Sequence, residues 1–281
     1  MTASPSHNNP PSRPRVIVTR PAREAAAWVQ SLSHAGLPAV ALPLIDILPV
    51  TDPGPVRRAW QQLPDFDAVM FVSANAVAGF FESKPADVEW KHAPATLEKI
   101  TTSRAWATGP GTVQALQQAG VPPEWIAAPP PQAAQFDSEA LWQQVGASVQ
   151  AGQRVLIVRG CDGQAARGAQ GLGRDWLASR LQAAGAVVDF VVAYRRGLPR
   201  LNPQQLQLAV DAASDGSVWL FSSSEAVANL RQCLPAQAWS AARAVATHAR
   251  IAAAVKVAGF GVVCESRPAV ADIVGSIESI R

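Results

Sequence analysis

Asp189-Phe190-Val191-Val192-Ala193-Tyr194-Arg195-Arg196 is an apolar run that ends in a tyrosine and two arginines, and Tyr194 is the only tyrosine among the 281 residues. Its β-branched and aromatic residues, without glycine or proline, favour an extended strand. Residues 41–50 form a second apolar run, whose prolines confine it to a sheet edge or a connector. We expect the two runs to pair as a crossing between two lobes, with residues 48–52 and 189–196 as connector strands.

Three strand-to-helix motifs occur twice in the chain. The pairs are Val16-Ile17-Val18-Thr19-Arg20 with Leu156-Ile157-Val158-Arg159, Phe71-Val72-Ser73-Ala74-Asn75-Ala76-Val77 with Phe221-Ser222-Ser223-Ser224-Glu225-Ala226-Val227, and Trp106-Ala107-Thr108 with Val245-Ala246-Thr247. Continuous apolar strands that alternate with helices predict parallel sheets covered on both faces. The repetition therefore predicts a duplicated α/β lobe.

The order of the repeated motifs predicts that one lobe is discontinuous. We expect residues 15–47 and 197–281 to form this lobe and residues 53–188 to form a continuous one. Residues 1–14 are dense in proline, serine and asparagine, which is typical of a disordered tail.

Composition excludes several classes of function. A formal charge of +3, from 24 basic and 21 acidic residues, is too small for a nucleic-acid partner without a basic cluster, and the sequence contains no such cluster. No apolar run approaches the roughly 18 residues that span a bilayer, so no membrane association is expected. The three cysteines are widely spaced, which argues against disulfides and zinc and favours a reducing cytoplasm.

Candidate site residues lie where the predicted parallel strands end, because ligands of open α/β sheets bind at that edge. The six turns there are Thr19-Arg20, Ser73–Asn75, Thr108–Thr112, Arg159–Asp162, Ser222–Ser224 and Thr247–Arg250. They are rich in hydroxyl, amide and guanidinium groups, which suit an anionic ligand. If the lobes face one another, all six turns line one cleft. The alternative for each Ser or Thr is a helix cap.

The order and spacing of these motifs resemble the uroporphyrinogen-III synthase family over nearly the whole chain from Arg15 onward. The motifs that carry the resemblance are Val18-Thr19-Arg20-Pro21, residues 71–77, Thr108-Gly109-Pro110-Gly111-Thr112, Val158-Arg159-Gly160, Tyr194-Arg195 and Phe221-Ser222-Ser223. The resemblance implies two similar α/β lobes, each with a parallel sheet flanked by helices, joined by a two-stranded connector with the active site between them.

The activity that the resemblance implies is that of a hydro-lyase of haem biosynthesis. It closes the linear tetrapyrrole hydroxymethylbilane, a polycarboxylate, into a ring with inversion of the last pyrrole. No metal and no organic cofactor are expected. The resemblance further implies a monomer that can receive its substrate from hydroxymethylbilane synthase.

Tyr194 stands at the position of the family's tyrosine and is the predicted catalytic residue, as a proton donor or hydrogen-bond partner for the leaving hydroxyl. Its alternative is a packed tyrosine whose hydroxyl bonds a backbone group. The predicted substrate-binding residues are Arg20, Ser73, Asn75, Thr108, Gly109, Arg159, Gly160, Ser222, Ser223, Thr247 and His248.

Some of these predictions have an explicit structural alternative. Arg20 and Arg159 either bind substrate carboxylates or pair with nearby acids such as Glu24 and Asp162. His248 stands where the family often has a glycine-proline turn, and it either contacts the ligand or caps a helix. Arg195 and Arg196 are expected to be solvated.

Two other classes of function stay open. A two-lobe protein that binds a small anion without turnover would use the same turns and would not need Tyr194. A nucleotide-dependent transferase is the other class, but Gly109-Pro110-Gly111 does not give GxGxxG, and residues 168–173 lack the lysine and the strand of a P-loop.

Overall fold

The computed structural model describes residues 13–86, 90, 104–133, 135–162 and 175–280. Most of the predicted tail, residues 1–12, and the glycines at 168–173 lie outside them. The chain divides into two compact units. Unit 1 comprises the residues up to Asp46 and from Leu198 onward, and unit 2 comprises Ile47–Gly197.

The described residues form ten α-helices and eleven strands, together with short 3-10 helices. In chain order they are β1 (Val16–Val18), α1 (Ala22–His34), β2 (Ala39–Ala41), β3 (Asp46–Pro49), α2 (Gly54–Gln61), β4 (Ala68–Phe71), α3 (Ala74–Glu82), β5 (Arg104–Ala107), α4 (Pro110–Gln118), β6 (Ile126–Ala127), α5 (Ser138–Val145), β7 (Arg154–Asp162), α6 (Asp175–Ala183), β8 (Val187–Gly197), α7 (Pro203–Asp211), β9 (Val218–Phe221), α8 (Ser224–Cys233), β10 (Arg243–Ala246), α9 (Ala249–Val257), β11 (Val262–Glu265) and α10 (Val270–Ser279). None of these helices is long and apolar enough to cross a membrane.

Unit 1 is built on a five-stranded sheet in the order β11-β10-β9-β1-β2. The strands pair in parallel, with Val16 opposite both Ala39 and Val218. Helices α1 and α10 cover one face through Leu32, Ile273 and Ile277, which are fully buried against β1 and β9. The first strand thus takes its neighbour β9 from the far end of the chain.

Unit 2 is built on a six-stranded sheet in the order β3-β8-β7-β4-β5-β6. Strands β4 to β8 pair in parallel. Because side chains alternate along a strand, Val69 and Phe71 enter the core on one face, and Ala68 and Met70 enter the core on the other. Helices therefore cover both faces, as the continuous apolar strands predicted.

The two sheets share one strand order. Reading β6-β5-β4-β7-β8 beside β11-β10-β9-β1-β2 gives the same arrangement of edge and central strands. The α/β architecture with two parallel sheets flanked by helices is confirmed, and the matching order agrees with the repeats in the sequence.

Strands β3 and β8, which overlap the predicted connector strands 48–52 and 189–196, are neighbours in the unit 2 sheet. Strand β8 starts at Val187 and also pairs with β7 along its length, so it is a full member of the unit 2 sheet. Arg195, which we expected to be solvated, is half-buried, and its Nε donates to the Pro49 carbonyl oxygen at 3.1 Å. The side-by-side placement of the two strands explains this contact.

Arg13 belongs to the predicted tail, yet it makes specific contacts. Its guanidinium donates to the carbonyl oxygens of Ala35 and Gly36, at 3.1 and 2.9 Å, beyond the end of α1. Gly36 has φ +80°, the left-handed conformation that ends many helices. Arg13 Nη2 also lies 4.0 Å from Glu278 of α10. The carbonyl groups left free by the helix end give Arg13 its partners.

Candidate functional site

The carboxyl edge of the unit 2 sheet carries Ser73 directly after β4. Ser73 is the N-cap of α3, and its Oγ accepts a hydrogen bond from the Ala76 N–H at 3.2 Å. A serine at this position satisfies one of the free amides of the first helical turn. Asn75, also predicted as a ligand, lies in that first turn and is only 8% exposed. The cap, one of the two alternatives for Ser73, is present.

Thr108 and Gly109 follow β5 at the same edge. The Thr108 hydroxyl donates to the Val72 carbonyl oxygen at 3.3 Å, which links the ends of β5 and β4. Gly109 is the N-cap of α4 and has extended backbone angles. A side chain there would start 3.0 Å from Cβ of Phe136, so a residue larger than glycine would press on the chain before α5. These two residues shape the edge through backbone contacts.

Tyr194 lies on β8 and is 4% exposed, packed in the core formed by β4, α3 and their neighbours. Its hydroxyl lies 3.2 Å from the Ser73 Oγ. Hence only the oxygen end of the phenol takes part in a polar contact at the carboxyl edge. The structural alternative for this tyrosine specified a backbone partner, whereas the observed partner is a side chain.

Two glycines allow Tyr194 to occupy this place. The phenol ring lies over Gly160, its partner on β7, and a Cβ at Gly160 would come 2.4 Å from Cζ of the ring. On the helix side, a Cβ at Gly79 of α3 would come 2.2 Å from the Ala193 carbonyl oxygen. Gly160 was predicted to bind substrate, and here it supports the tyrosine ring.

The predicted turn at Arg159–Asp162 is wrong, because β7 continues to Asp162. The strand pairs with β8 throughout, and a bulge between Arg159 and Gly160 shifts the register so that Gly160 faces Tyr194. A bulge adds one residue to one strand and redirects the side chains that follow. The Arg159 guanidinium lies 4.4 Å from the Phe190 ring centroid. The Asp162 side chain lies outside the described residues.

Arg20 follows β1 at the carboxyl edge of the unit 1 sheet. Its Nη1 lies 3.2 Å from the Glu24 carboxylate, and its guanidinium stacks 4.7 Å from the Trp28 ring centroid. Burial lowers the pKa of the Arg20 guanidinium, and the charge and hydrogen bond of Glu24 partly offset that effect. The Nε atom is buried and has no hydrogen-bond partner in the described part of the chain. The acid partner foreseen as an alternative is therefore present, and it leaves the buried Nε–H without a partner among the described residues.

The remaining predicted residues of unit 1 lie after β9 and β10. Ser222 follows β9 and is half-buried. Ser223 caps α8 and accepts from the Glu225 N–H at 3.2 Å. The Thr247 N–H donates to the Phe221 carbonyl oxygen at 3.0 Å.

His248 is exposed and caps α9, with its Nδ1 accepting from the Arg250 N–H at 3.0 Å. His248 therefore acts as the helix cap that was foreseen as its alternative. The cap uses only the Nδ1 atom of the imidazole and not the Nε2 atom.

Sequence reasoning placed Thr19 in a turn at this edge without its partner, and it missed Trp28 and Gly79. Thr19 is fully buried, and its hydroxyl donates to the Leu220 carbonyl oxygen at 2.7 Å, a link like that of Thr108. Trp28 stacks on Arg20, but tryptophan in an amphipathic helix carries no signal of its own. Gly79 did give a signal, since glycine inside a helix costs stability and indicates close packing.

The structure brings together Ser73, Gly160 and Tyr194 in unit 2, while the predicted ligands of unit 1 lie at the edge of their own sheet. That all of them line one cleft stays a prediction. No group of three or more His, Cys, Asp or Glu side chains among the described residues is placed to hold a metal ion. Both edges present hydroxyls and arginines, which can bind an anion and assist a proton transfer.

Comparison with known proteins gives a consistent result. The family model described as uroporphyrinogen-III synthase HemD matches residues 26–275. The chain is 28% identical to the uroporphyrinogen-III synthase of Synechococcus elongatus over 230 residues, which are 80% of this chain and 78% of that protein. It is 33% identical to the one of Chlorobaculum parvum over 147 residues, 52% of each chain.

A solved structure matches in fold. The crystal structure of uroporphyrinogen-III synthetase from Helicobacter pylori aligns with 96% of this chain and 100% of its own, with a TM-score of 0.55 and 15% sequence identity. At this identity the likeness concerns the arrangement of helices and strands.

Proposed function

Because the chain belongs to the uroporphyrinogen-III synthase family, whose members are lyases, we propose that it converts hydroxymethylbilane into uroporphyrinogen III and water in haem biosynthesis. The observation that most supports this reaction is the position of the chain's only phenol. The Tyr194 hydroxyl reaches the carboxyl edge of the unit 2 sheet, where it lies 3.2 Å from Ser73 at the start of α3.

The proposed reaction starts with loss of the terminal hydroxyl of the bilane. The C–O bond breaks with its electron pair on oxygen, and the adjacent pyrrole nitrogen supplies electrons to form an electrophilic azafulvene. The substituted carbon of the last ring attacks this centre to give a spiro intermediate, which fragments and recloses with that ring inverted. The substrate supplies its own reactivity, so the protein has to fold it and assist departure of water.

Tyr194 is the proposed proton donor for the departing hydroxyl. A phenol that transfers its proton as the C–O bond breaks makes water, rather than hydroxide, the leaving group. The proton released when the macrocycle closes restores the phenol. The fixed ring, held over Gly160, keeps the hydroxyl at one place during the reaction.

The arginines of both edges and the hydroxyls of the unit 1 edge are the proposed contacts of the substrate carboxylates. Arg20 supports this role because its Nε is buried and has no hydrogen-bond partner among the described residues, and a buried donor left unpaired costs free energy that a carboxylate would recover. The guanidinium also lies over the Trp28 ring, 4.7 Å from its centroid, and this cation–π contact helps to hold it in place. Arg159 is the equivalent residue of unit 2 and is stacked on Phe190.

Further parts of the proposal concern the surroundings of the enzyme. We place it in the cytoplasm on the basis of three free cysteines, Cys161, Cys233 and Cys264, in a chain without a disulfide framework. We further propose that it acts as a monomer and that hydroxymethylbilane synthase hands over the unstable bilane. The reaction needs no organic cofactor, because the leaving group and the nucleophile belong to one molecule.

The experiment that tests the proposal separates products by isomer. Purified protein is added to freshly generated hydroxymethylbilane, and the oxidised products are resolved into types I and III. Uncatalysed bilane closes to the type I ring, so each reaction contains its own reference. Predominant type III product is the expected result, and type I alone from folded protein would refute the proposed function.

A further inference from the structure

We propose that Ser73 is a positioning residue that sets the direction of the Tyr194 O–H bond during the proton transfer, an inference that rests on the proposed function. Ser73 lies within hydrogen-bond distance of the phenol oxygen, at 3.2 Å. It was expected to bind the substrate itself. The contacts around it assign it to the tyrosine instead.

The tyrosine ring has little freedom, so the O–H direction is the variable that remains. Gly160 lies under the ring, and the backbone of Ala193 is packed against Gly79 of α3. The side chain is 4% exposed. A phenol hydroxyl still rotates about its C–O bond, and a neighbouring hydrogen-bond partner decides where its proton points.

The other hydrogen bond of the Ser73 hydroxyl favours Ser73 as the donor toward Tyr194. The Ser73 Oγ already accepts from the Ala76 N–H at 3.2 Å. An oxygen that accepts such a bond becomes a better donor, and the partial positive charge at the start of α3 strengthens this effect. When Ser73 donates to the phenol oxygen, the Tyr194 proton points away from Ser73 and is available to a substrate.

The same contact supports the phenol after it has given up its proton. As the substrate C–O bond breaks, the Tyr194 proton moves to the departing oxygen and forms water. The phenolate left behind then accepts the hydrogen bond from Ser73, which itself is held by the amide of Ala76. The proton lost on ring closure returns to Tyr194, so Ser73 keeps its own proton throughout.

Two comparable hydroxyls among the described residues do not share this arrangement. Thr108 lies at the same edge, but its hydroxyl donates to the Val72 carbonyl oxygen. Ser223 holds the equivalent cap position of unit 1, and the chain has no second tyrosine for it to contact. Ser73 is therefore the hydroxyl to test.

The test is a double-mutant cycle on the full chain, scored by the initial rate of type III product. We expect Ser73→Ala to lower kcat by about 10- to 100-fold with KM within about 2-fold, and Tyr194→Phe to lower kcat by about 100-fold or more. In the Tyr194→Phe background, Ser73→Ala should add less than about 3-fold, because its effect passes through the phenol. Ser73→Thr keeps the hydroxyl and should restore kcat to within about 3-fold of the wild type.

Asp137→Ala is the matched control for the loss of a helix cap. Asp137 caps α5 in the same unit and accepts from the N–H groups of Glu139 and Ala140. Both cap variants should lower Tm by about 2–4 °C, but only Ser73→Ala should lower kcat. A loss of kcat in Asp137→Ala that equals the loss in Ser73→Ala would assign the effect to stability and overturn the proposal.

A spectroscopic readout is independent of turnover. Since Tyr194 is the only tyrosine, 3-fluorotyrosine incorporated during expression labels this phenol alone. Ser73→Ala should move the fluorine resonance, whereas Asp137→Ala should leave it in place. An unmoved resonance in Ser73→Ala would show that the two hydroxyls do not interact and would overturn the inference.

The outcomes separate this inference from the proposed function. Wild-type protein that makes only type I product refutes both. If the wild type makes type III product, then multiplicative losses in the double variant, or a higher KM with unchanged kcat in Ser73→Ala, overturn the positioning role alone.

Discussion

At the scale of single residues, Gly160 shows how the site depends on an absent side chain. The Tyr194 ring occupies the space where a Cβ at position 160 would lie, 2.4 Å from Cζ. Neither residue can move away to make room, because the two are paired on adjacent strands. Position 160 therefore has to be glycine as long as the Tyr194 ring lies beside it.

Gly160→Ala should therefore displace the phenol and lower the rate of type III formation by at least about 10-fold, with a loss of stability of about 1–3 kcal/mol. Isomer analysis and urea unfolding measure the two effects. The matched control is Gly197→Ala on β8, where the new Cβ would lie 3.4 Å from Cδ1 of Leu48, an ordinary contact. Equal rates in both variants would contradict the assigned role of Gly160.

Asp215 predicts how stability responds to acid. Partial burial alone would raise the pKa of its carboxyl, but the hydrogen bonds from Ser217 and the charge and hydrogen bond of Arg15 outweigh it, so the pKa is lowered. The folded state then binds a proton less readily than the unfolded state. The stabilisation is present above the ordinary carboxyl pKa near 4 and is lost as pH falls through the lowered value.

Because solvent screens this largely exposed pair, we expect Asp215→Asn to cost only about 0.5 kcal/mol at neutral pH and to approach the wild type below about pH 4. Urea unfolding at a series of pH values measures the difference. Asp272→Asn serves as a control, since that carboxylate lies at an exposed site 3.9 Å from Arg267. A difference that grows on acidification would have the wrong sign.

Sequence predicted where the polar residues lie along the chain better than what they contact. Arg20 and His248 were placed correctly at the ends of strands, each with a structural alternative that the structure then showed. The partners of Tyr194 were not predictable, because Ser73 lies 121 positions away and Gly160 reaches it only through the pairing of two strands. Contacts of this kind depend on tertiary structure.

At the scale of elements, the close approach of α3 to β8 is set by Gly79. A Cβ there would lie 2.2 Å from the Ala193 carbonyl oxygen, and backbone cannot rotate away. We expect Gly79→Ala to lower the free energy of unfolding by about 2–3 kcal/mol.

Gly275→Ala in α10 is the matched comparison, because no atom lies within 4 Å of a Cβ built there. The same replacement should then raise the free energy of unfolding by about 0.5–1 kcal/mol, through the better helix propensity of alanine. Chemical denaturation of both variants measures the pair of effects. A similar change in both would mean that helix propensity and not packing decides at position 79.

The bounds of several helices coincide with local signals in the sequence, because caps and glycines act within a few residues. Ser73 and Asp137 begin α3 and α5, and Gly36 follows α1. The extension of β7 was not predicted, since its sequence resembles the end of β1. Strand β1 ends at Val18, ahead of Pro21 at the start of α1, whereas Gly160-Cys161-Asp162 has no proline and continues beside β8. The length of β7 is therefore set by its pairing with β8.

At the scale of the whole molecule, the two units differ in how far apart in sequence their contacts lie. In unit 1, Thr19 bonds Leu220 across 201 positions, whereas in unit 2 the Arg154 amide bonds Asp67 across 87. Long-range pairing slows folding, because the loop must close before its contacts form.

We expect unit 2 to acquire protection before unit 1 during refolding. Pulsed hydrogen exchange with mass spectrometry measures this, by comparing amides of β4 and β7 with those of β1 and β9. Amides of α1 and α3 serve as a local reference, since helix bonds close over short distances. Protection of β1 and β9 first would contradict the expectation.

The architecture of the whole molecule was easier to predict than its contacts, because the same strand-to-helix motifs occur twice in the sequence. The repeated motifs at Phe71 and Phe221 end β4 and β9, which hold the same place in their sheets. The strand order itself required the structure, since periodicity gives the type of an element and not its neighbours.

The contact between Arg13 and Glu278, at 4.0 Å, places the first described residues beside the last helix of the same unit. A circular permutant can therefore begin at Leu198, run through α10, pass by a short linker to Arg13 and end at Gly197. In that order unit 1 becomes contiguous, and the chain crosses between the units once where it now crosses twice. Unit 1 and unit 2 could then be encoded by separate gene fragments. Ligand binding could be measured at the edge that carries Arg20 and at the edge that carries Tyr194, one at a time.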